Sequence, residues 1–66
     1  MKIQFKASNL AEVRAAFAYF KTFGFKIIGD FTPERYYNCH PFIIIELENN
    51  IITGHDKFDS KYGKLV

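Results

Sequence analysis

At 66 residues the chain is read as one domain, close to the lower limit at which a polypeptide folds without a disulfide, a metal or a partner. The single cysteine, Cys39, excludes an internal disulfide, and nine Lys and Arg against seven Asp and Glu, alternating in sign without a basic run, signal neither nucleic-acid binding nor acidic mimicry of DNA. Eight Phe and four Tyr mark a folded composition; apolar runs fall far short of the ~20 residues of a membrane span and no secretory core opens the chain, so the expected setting is cytoplasmic with a reduced thiol.

The opening MKIQFKA alternates, Ile3 and Phe5 on one face and Lys2, Gln4 and Lys6 on the other, which is the pattern of a half-buried strand. The period then changes. Asn9 or Ser8 can cap a helix whose early Glu12 makes a variant capping box, and Leu10, Val13, Phe17 and Phe20 recur at helical spacing. A helix over about 9–23 follows, with this stripe on the sheet, alanines at 11, 15, 16 and 18 letting the backbone approach closely, and Gly24 ending it ahead of an apolar Phe25 contact.

FKIIGDF resumes strand character, with Phe25 and Ile27 on one face. TPERYYNCHP, bounded by Pro33 and Pro41, reads as one long polar loop counted from Gly29. Strand three is expected over Phe42 to Glu48, a two-residue Asn49-Asn50 turn next, and strand four from Ile51 to about His55. The predicted fold class is α+β, a two-layer sandwich with one helix on a four-stranded, mostly antiparallel sheet in the order β-α-β-β-β, strands one and two running in the same direction. Residues 57–66, with Phe58, Tyr62, Leu65 and Val66 on a polar background, either fray or pack back.

The isoleucine triplet 43–45 poses the functional question. A strand turns successive side chains to opposite faces, so Ile44 cannot share the helix-covered face of Ile43 and Ile45. The two-residue turn pairs Glu48 with Ile51 and Ile44 with His55, leaving Ile28, Phe42, Ile44 and Ile51 on the far face among Glu46, Glu48, Thr53 and His55. Each such side chain is worth roughly 1.5–3 kcal/mol when buried. The expected cover is a second protein, another copy of this chain or a foreign target; the alternative is the tail, laying Phe58 and Tyr62 over this face.

Arg35, Tyr36 and Tyr37 in the loop are residue types enriched at protein-binding hot spots. Together with Phe42, Ile44 and His55 they form the expected partner-binding set, against the bland reading that one tyrosine packs inward and Arg35 pairs with Glu34 or Asp30. Single-stranded nucleic acid stacking on these aromatics, with Lys2 and Lys26, is the first rival, although nucleic acid is not the expected partner. A thiol or metal enzyme is the second. Cys39-His40 with His55-Asp56 lacks metal-ligand spacing, nothing around Cys39 suggests a base or oxyanion site, and Gly24, Gly29, Gly54 and Gly63 are too isolated to cradle phosphate. No catalytic residue, cofactor or metal is expected.

The stretch NLAEVRAAFAYFKTFGFKI, a polar loop, then HPFIIIELENNIITGHD, resembles a type of very small phage-encoded accessory protein over roughly residues 2–56. Where that type has Gly-Tyr-Lys-Trp after its helix, this chain has Gly24-Phe25-Lys26-Ile27. The resemblance implies a non-enzymatic inhibitor or adaptor that binds a bacterial host or defence protein by stoichiometric contact, in the host cytoplasm. It carries over no functional residue.

Overall fold

The computed structural model describes residues 1–29 and 32–66. The alternating opening forms β1 (Lys2–Lys6), and Asn9 caps α1 (Leu10–Thr22), its side chain accepting from the Glu12 amide at 3.0 Å while Glu12 reaches back to the Ser8 amide at 2.6 Å. One orphan amide of the first turn, that of Glu12, and the amide of Ser8 just before the cap are thereby satisfied. At the other end Gly24 adopts φ +83°, its amide donates to the Lys21 carbonyl, and that of Phe25 to the Phe20 carbonyl. This paired closure is a Schellman motif, sealed by the Phe20 and Phe25 rings with centroids 5.0 Å apart.

Strand character after the helix is brief: β2 is Lys26–Ile27. The polar stretch expected as a loop contains α2 (Pro33–Cys39) instead. Thr32 caps it, Pro33 occupies the first turn and Glu34 adds an acidic residue there, all helix-start signals, and Tyr36 pins the helix to the core. Asp30 and Phe31 lie outside the described residues, and with them the expected pairing of Arg35 with Asp30.

β3 (Phe42–Glu46) and β4 (Ile51–His55) form the hairpin, while a 3₁₀ turn (Ser60–Tyr62) leads to a fifth strand, β5 (Lys64–Leu65). The sheet order is β2-β4-β3-β1-β5, so the α+β class holds with five strands and two helices among the described residues, where four strands and one helix were expected. Both five-residue ladders, β1 with β3 and β3 with β4, are antiparallel; the two-residue ladders at the edges, β2 with β4 and β5 with β1, are parallel. β1 and β2 therefore run in the same direction, as expected, but two strands separate them.

The hairpin register differs from the expected one by two residues. Glu46, not Glu48, faces Ile51, Ile44 faces Thr53, and residues 47–50 make a four-residue loop in which Asn50 takes φ +55° and Asn49 bonds Glu46. A shift of two keeps every side chain on its expected face. Ile43 and Ile52 thus pack with Val13, Phe17 and Tyr36 in the helix-side core, ringed by Phe5, Phe20, Phe25, Ile27 and Tyr37. Leu47, expected in that core, is in the loop and exposed.

The far face is where the leading expectation is corrected. The chain's own tail crosses it: the Gln4 amide donates to the carbonyls of Asp59 at 2.8 Å and Gly63 at 3.0 Å, β5 pairs with β1, and Val66 N–H reaches the Gln4 carbonyl at 2.9 Å. Phe58 stands 6.5 Å from Phe42, and Tyr62 5.1 Å from His55. Beneath this roof Gln4 is fully buried and its cross-strand partner Ile44 only 3% exposed. A second protein is not needed to keep Ile44 dry.

Gly63 makes the roof possible. It sits at φ +98°, ψ −172°, a region essentially open only to glycine, and a Cβ there would lie 1.9 Å from the Lys2 carbonyl oxygen. Gly63→Ala is expected to lift the tail at a cost of roughly 1–3 kcal/mol, read as a lower denaturant midpoint and faster proteolysis after Lys57 or Lys61. Unchanged midpoint and protection would show that the tail does not depend on this close approach.

Candidate functional site

Of the six residues expected to bind a partner, α2 carries three and disperses them. Tyr36 points into the core, 1% exposed, its ring 5.0 Å from Phe17 in an edge contact and its hydroxyl donating to the Ile28 carbonyl. Tyr37 is half-buried and donates to the Ser8 carbonyl at 3.2 Å, while Arg35 is exposed. Successive residues on a helix diverge by 100°, so an Arg-Tyr-Tyr run contiguous in a loop cannot stay contiguous on a helix. Glu34 pairs with Arg14 of α1, whose hydrogen bond holds its carboxyl below the usual range.

The other three lie on the far face. Ile44 is under the tail, whereas Phe42 and His55 are half-buried cross-strand neighbours. His55 Nδ1 stands 2.9 Å from the Lys57 carbonyl and 3.2 Å from Asp56. Tyr36 and Ile44 are thus corrected: both are structural side chains with no surface to offer. Among the described residues no group of three His, Cys, Asp or Glu side chains could hold a metal, and Cys39 is exposed at the end of α2.

A different surface emerges on α1. Beside the exposed charges Glu12, Arg14 and Lys21, its outer side carries Ala11, Ala15 and Ala18, expected against the sheet and exposed instead. Val13 and Phe17 already fill the sheet-facing stripe, which leaves the alanines facing outward. This smooth strip ends in Tyr19 and Phe23, each 60% exposed, with ring centroids 5.1 Å apart. Tyr19 also meets Phe20 edge-on at 5.2 Å, and Phe20 meets Phe25, so four rings make one continuous cluster.

Phe25 continues into an open groove of about 620 Å³ between α1 and β2, lined also by Phe17, Ala18, Lys21, Lys26 and Ile27. An aromatic ridge thus adjoins an apolar trough whose rim is cationic. The sequence signal for the ridge was present: Tyr19 and Phe23 are four apart and fall off the Leu10/Val13/Phe17/Phe20 stripe. Chemically the surface offers desolvation and ring contact beside two ammonium groups. No family model, curated protein or solved structure matches the chain.

Tyr36 supplies a check on the core beneath this site. Burial raises its phenol above the ordinary tyrosine value. The folded state prefers the neutral phenol, so its contribution is complete below the unfolded value of about 10. It is lost as pH climbs beyond that, because the unfolded chain ionises first. Tyr36→Phe is expected to cost about 1 kcal/mol at neutral pH yet to flatten the loss of stability above pH ~10; urea titrations of both proteins across that range test this, and parallel curves would contradict a neutral buried phenol.

Proposed function

We propose that the chain is a non-enzymatic protein-binding module acting by stoichiometric contact through the outer face of α1. The carrying observation is the exposed Tyr19–Phe23 pair at the end of a strip of exposed alanines. Tyrosine and phenylalanine offer large contact area at low side-chain entropy cost, the property that makes aromatics anchors at interfaces. Ring-to-ring contacts hold both side chains in place before a partner arrives, which reduces the ordering cost of binding.

Lys21 and Lys26 on the groove rim select the partner by charge: an apolar recess edged by carboxylates fits, and rim charges of this kind set association rate and specificity more than affinity. The bacterial host or defence protein implied by the resemblance is the class of partner to seek, with inhibition or bridging as its consequence.

Tyr19→Ala and Phe23→Ala are each expected to cost about 2 kcal/mol or more in binding, roughly thirtyfold in Kd, while far-UV circular dichroism and thermal midpoint stay near wild type because both side chains are exposed. Affinity capture from bacterial lysate with the wild type and the double variant, followed by titration of the captured protein, measures it. Retention of the same partner by the double variant at unchanged affinity would remove α1 from the interface, and a dimer by light scattering that the variant abolishes would replace the foreign partner with a second copy.

A further inference from the structure

The tail-covered side of the sheet carries a second surface, of different chemistry. Phe58 lies beside Phe42 and Tyr62 beside His55, and because Phe42 and His55 are cross-strand partners the two ring pairs form a row on one face of the sheet. Two rings of the row come from the sheet and two from the tail. Phe58 is 47% exposed, and Phe42, His55 and Tyr62 are half-buried.

Ammonium groups stand over this row. Lys6 Nζ lies 5.9 Å from the Phe42 ring centroid, and Lys2 and Lys61 lie 5.9 and 5.2 Å from that of Tyr62. Such placement keeps cations at the ring faces. Three carboxylates share the surface and each is engaged: Glu46, the cross-strand partner of Lys2, accepts from Asn49, Asp59 caps the 3₁₀ turn through the Lys61 amide at 3.0 Å and stands 3.7 Å from Lys61 Nζ, and Asp56 adjoins His55. Lysines that alternate with acids along the sequence are thus brought by the fold to one face with aromatic rings between them.

We infer that this face is a binding platform for single-stranded nucleic acid. Bases stack on aromatic rings regardless of sequence while ammonium groups meet the backbone phosphates, and a row of rings bordered by lysines supplies both contacts at once. A duplex hides its base faces and uses only the lysines. An acidic peptide does the same. The inference is independent of the α1 surface, which lies on the other side of the sheet, and it shifts any nucleic-acid contact away from Arg35, Tyr36 and Tyr37. The two faces together make an adaptor that holds a protein on one side and a strand on the other.

The test is fluorescence polarisation of the full chain with labelled oligo(dT) and oligo(U), with a duplex of the same length and a polyglutamate peptide as competitors. Three phosphate contacts predict a log-log salt slope near −2 for single strands, so each fourfold rise in salt loosens binding roughly fifteenfold. Phe58→Leu, which keeps apolar cover but removes the ring, is expected to weaken binding roughly fivefold or more, and Lys6→Gln to weaken it and make the salt slope shallower by about 0.7. Tyr19→Ala/Phe23→Ala leaves binding unchanged. Absence of single-strand binding at low salt, equal competition by duplex or polyglutamate, or Phe58→Leu binding like wild type would each overturn the inference; loss on Tyr19→Ala/Phe23→Ala would place the strand on α1 instead.

Discussion

A central strand with isoleucines on both faces must be covered twice, and the rest of this molecule is arranged around that constraint. β3 is flanked by β1 and β4, so its backbone is paired on both edges, and Ile43, Ile44 and Ile45 are all buried. The two helices cover one face. Over β3 the other is closed by the last ten residues, held by a glutamine side chain, a two-residue ladder and a glycine pressed against a carbonyl. In a chain that buries only about 60% of its unfolded surface, leaving that second face wet would forfeit stability it can scarcely spare.

Covering both faces of β3 internally decides where function can reside. The side chains that seemed available for contact, Tyr36 and Ile44, are consumed in making the fold, one as the anchor of α2 and the other beneath the tail. The aromatic side chains left at the surface gather in two places: a ridge on α1 rimmed by lysines, and two ring pairs on the tail side threaded with ammonium groups. The edge strands are two residues long and carry Lys26 and Lys64, an arrangement that discourages strand addition from another chain. Contact therefore falls to side-chain faces rather than to sheet edges.

Local chemistry made much of the scaffold readable in advance. The α1 boundaries follow from Asn9, Glu12 and Gly24, each acting on backbone groups within a few residues of itself. The facing of Ile43, Ile44 and Ile45 follows from strand alternation and survived an error of two residues in the register, because the period is two. α2 was missed although Thr32, Pro33 and Glu34 spell a helix start, since seven residues with one deeply buried side chain show no amphipathic period to read. The aromatic pairs are legible in part, since strand alternation puts Phe42 and His55 on one face and the tail alternative lays Phe58 and Tyr62 over it; the placing of Lys2, Lys6 and Lys61 over those rings is not, because they share no local pattern with them.

By itself the sequence determined the class of fold, the cap and stop of its main helix, and the fact that β3 would need shelter on two sides, all consequences of dihedral preference and side-chain periodicity acting over one or two turns. Only the tertiary structure decided what provides that shelter. The choice between a partner and the tail rests on whether Gly63 can press against the Lys2 backbone and Gln4 can reach two carbonyls almost sixty residues away. Such contacts depend on positions in space that no local propensity encodes, and so does the sorting of the aromatic side chains into those that hold the core and those left on the surface.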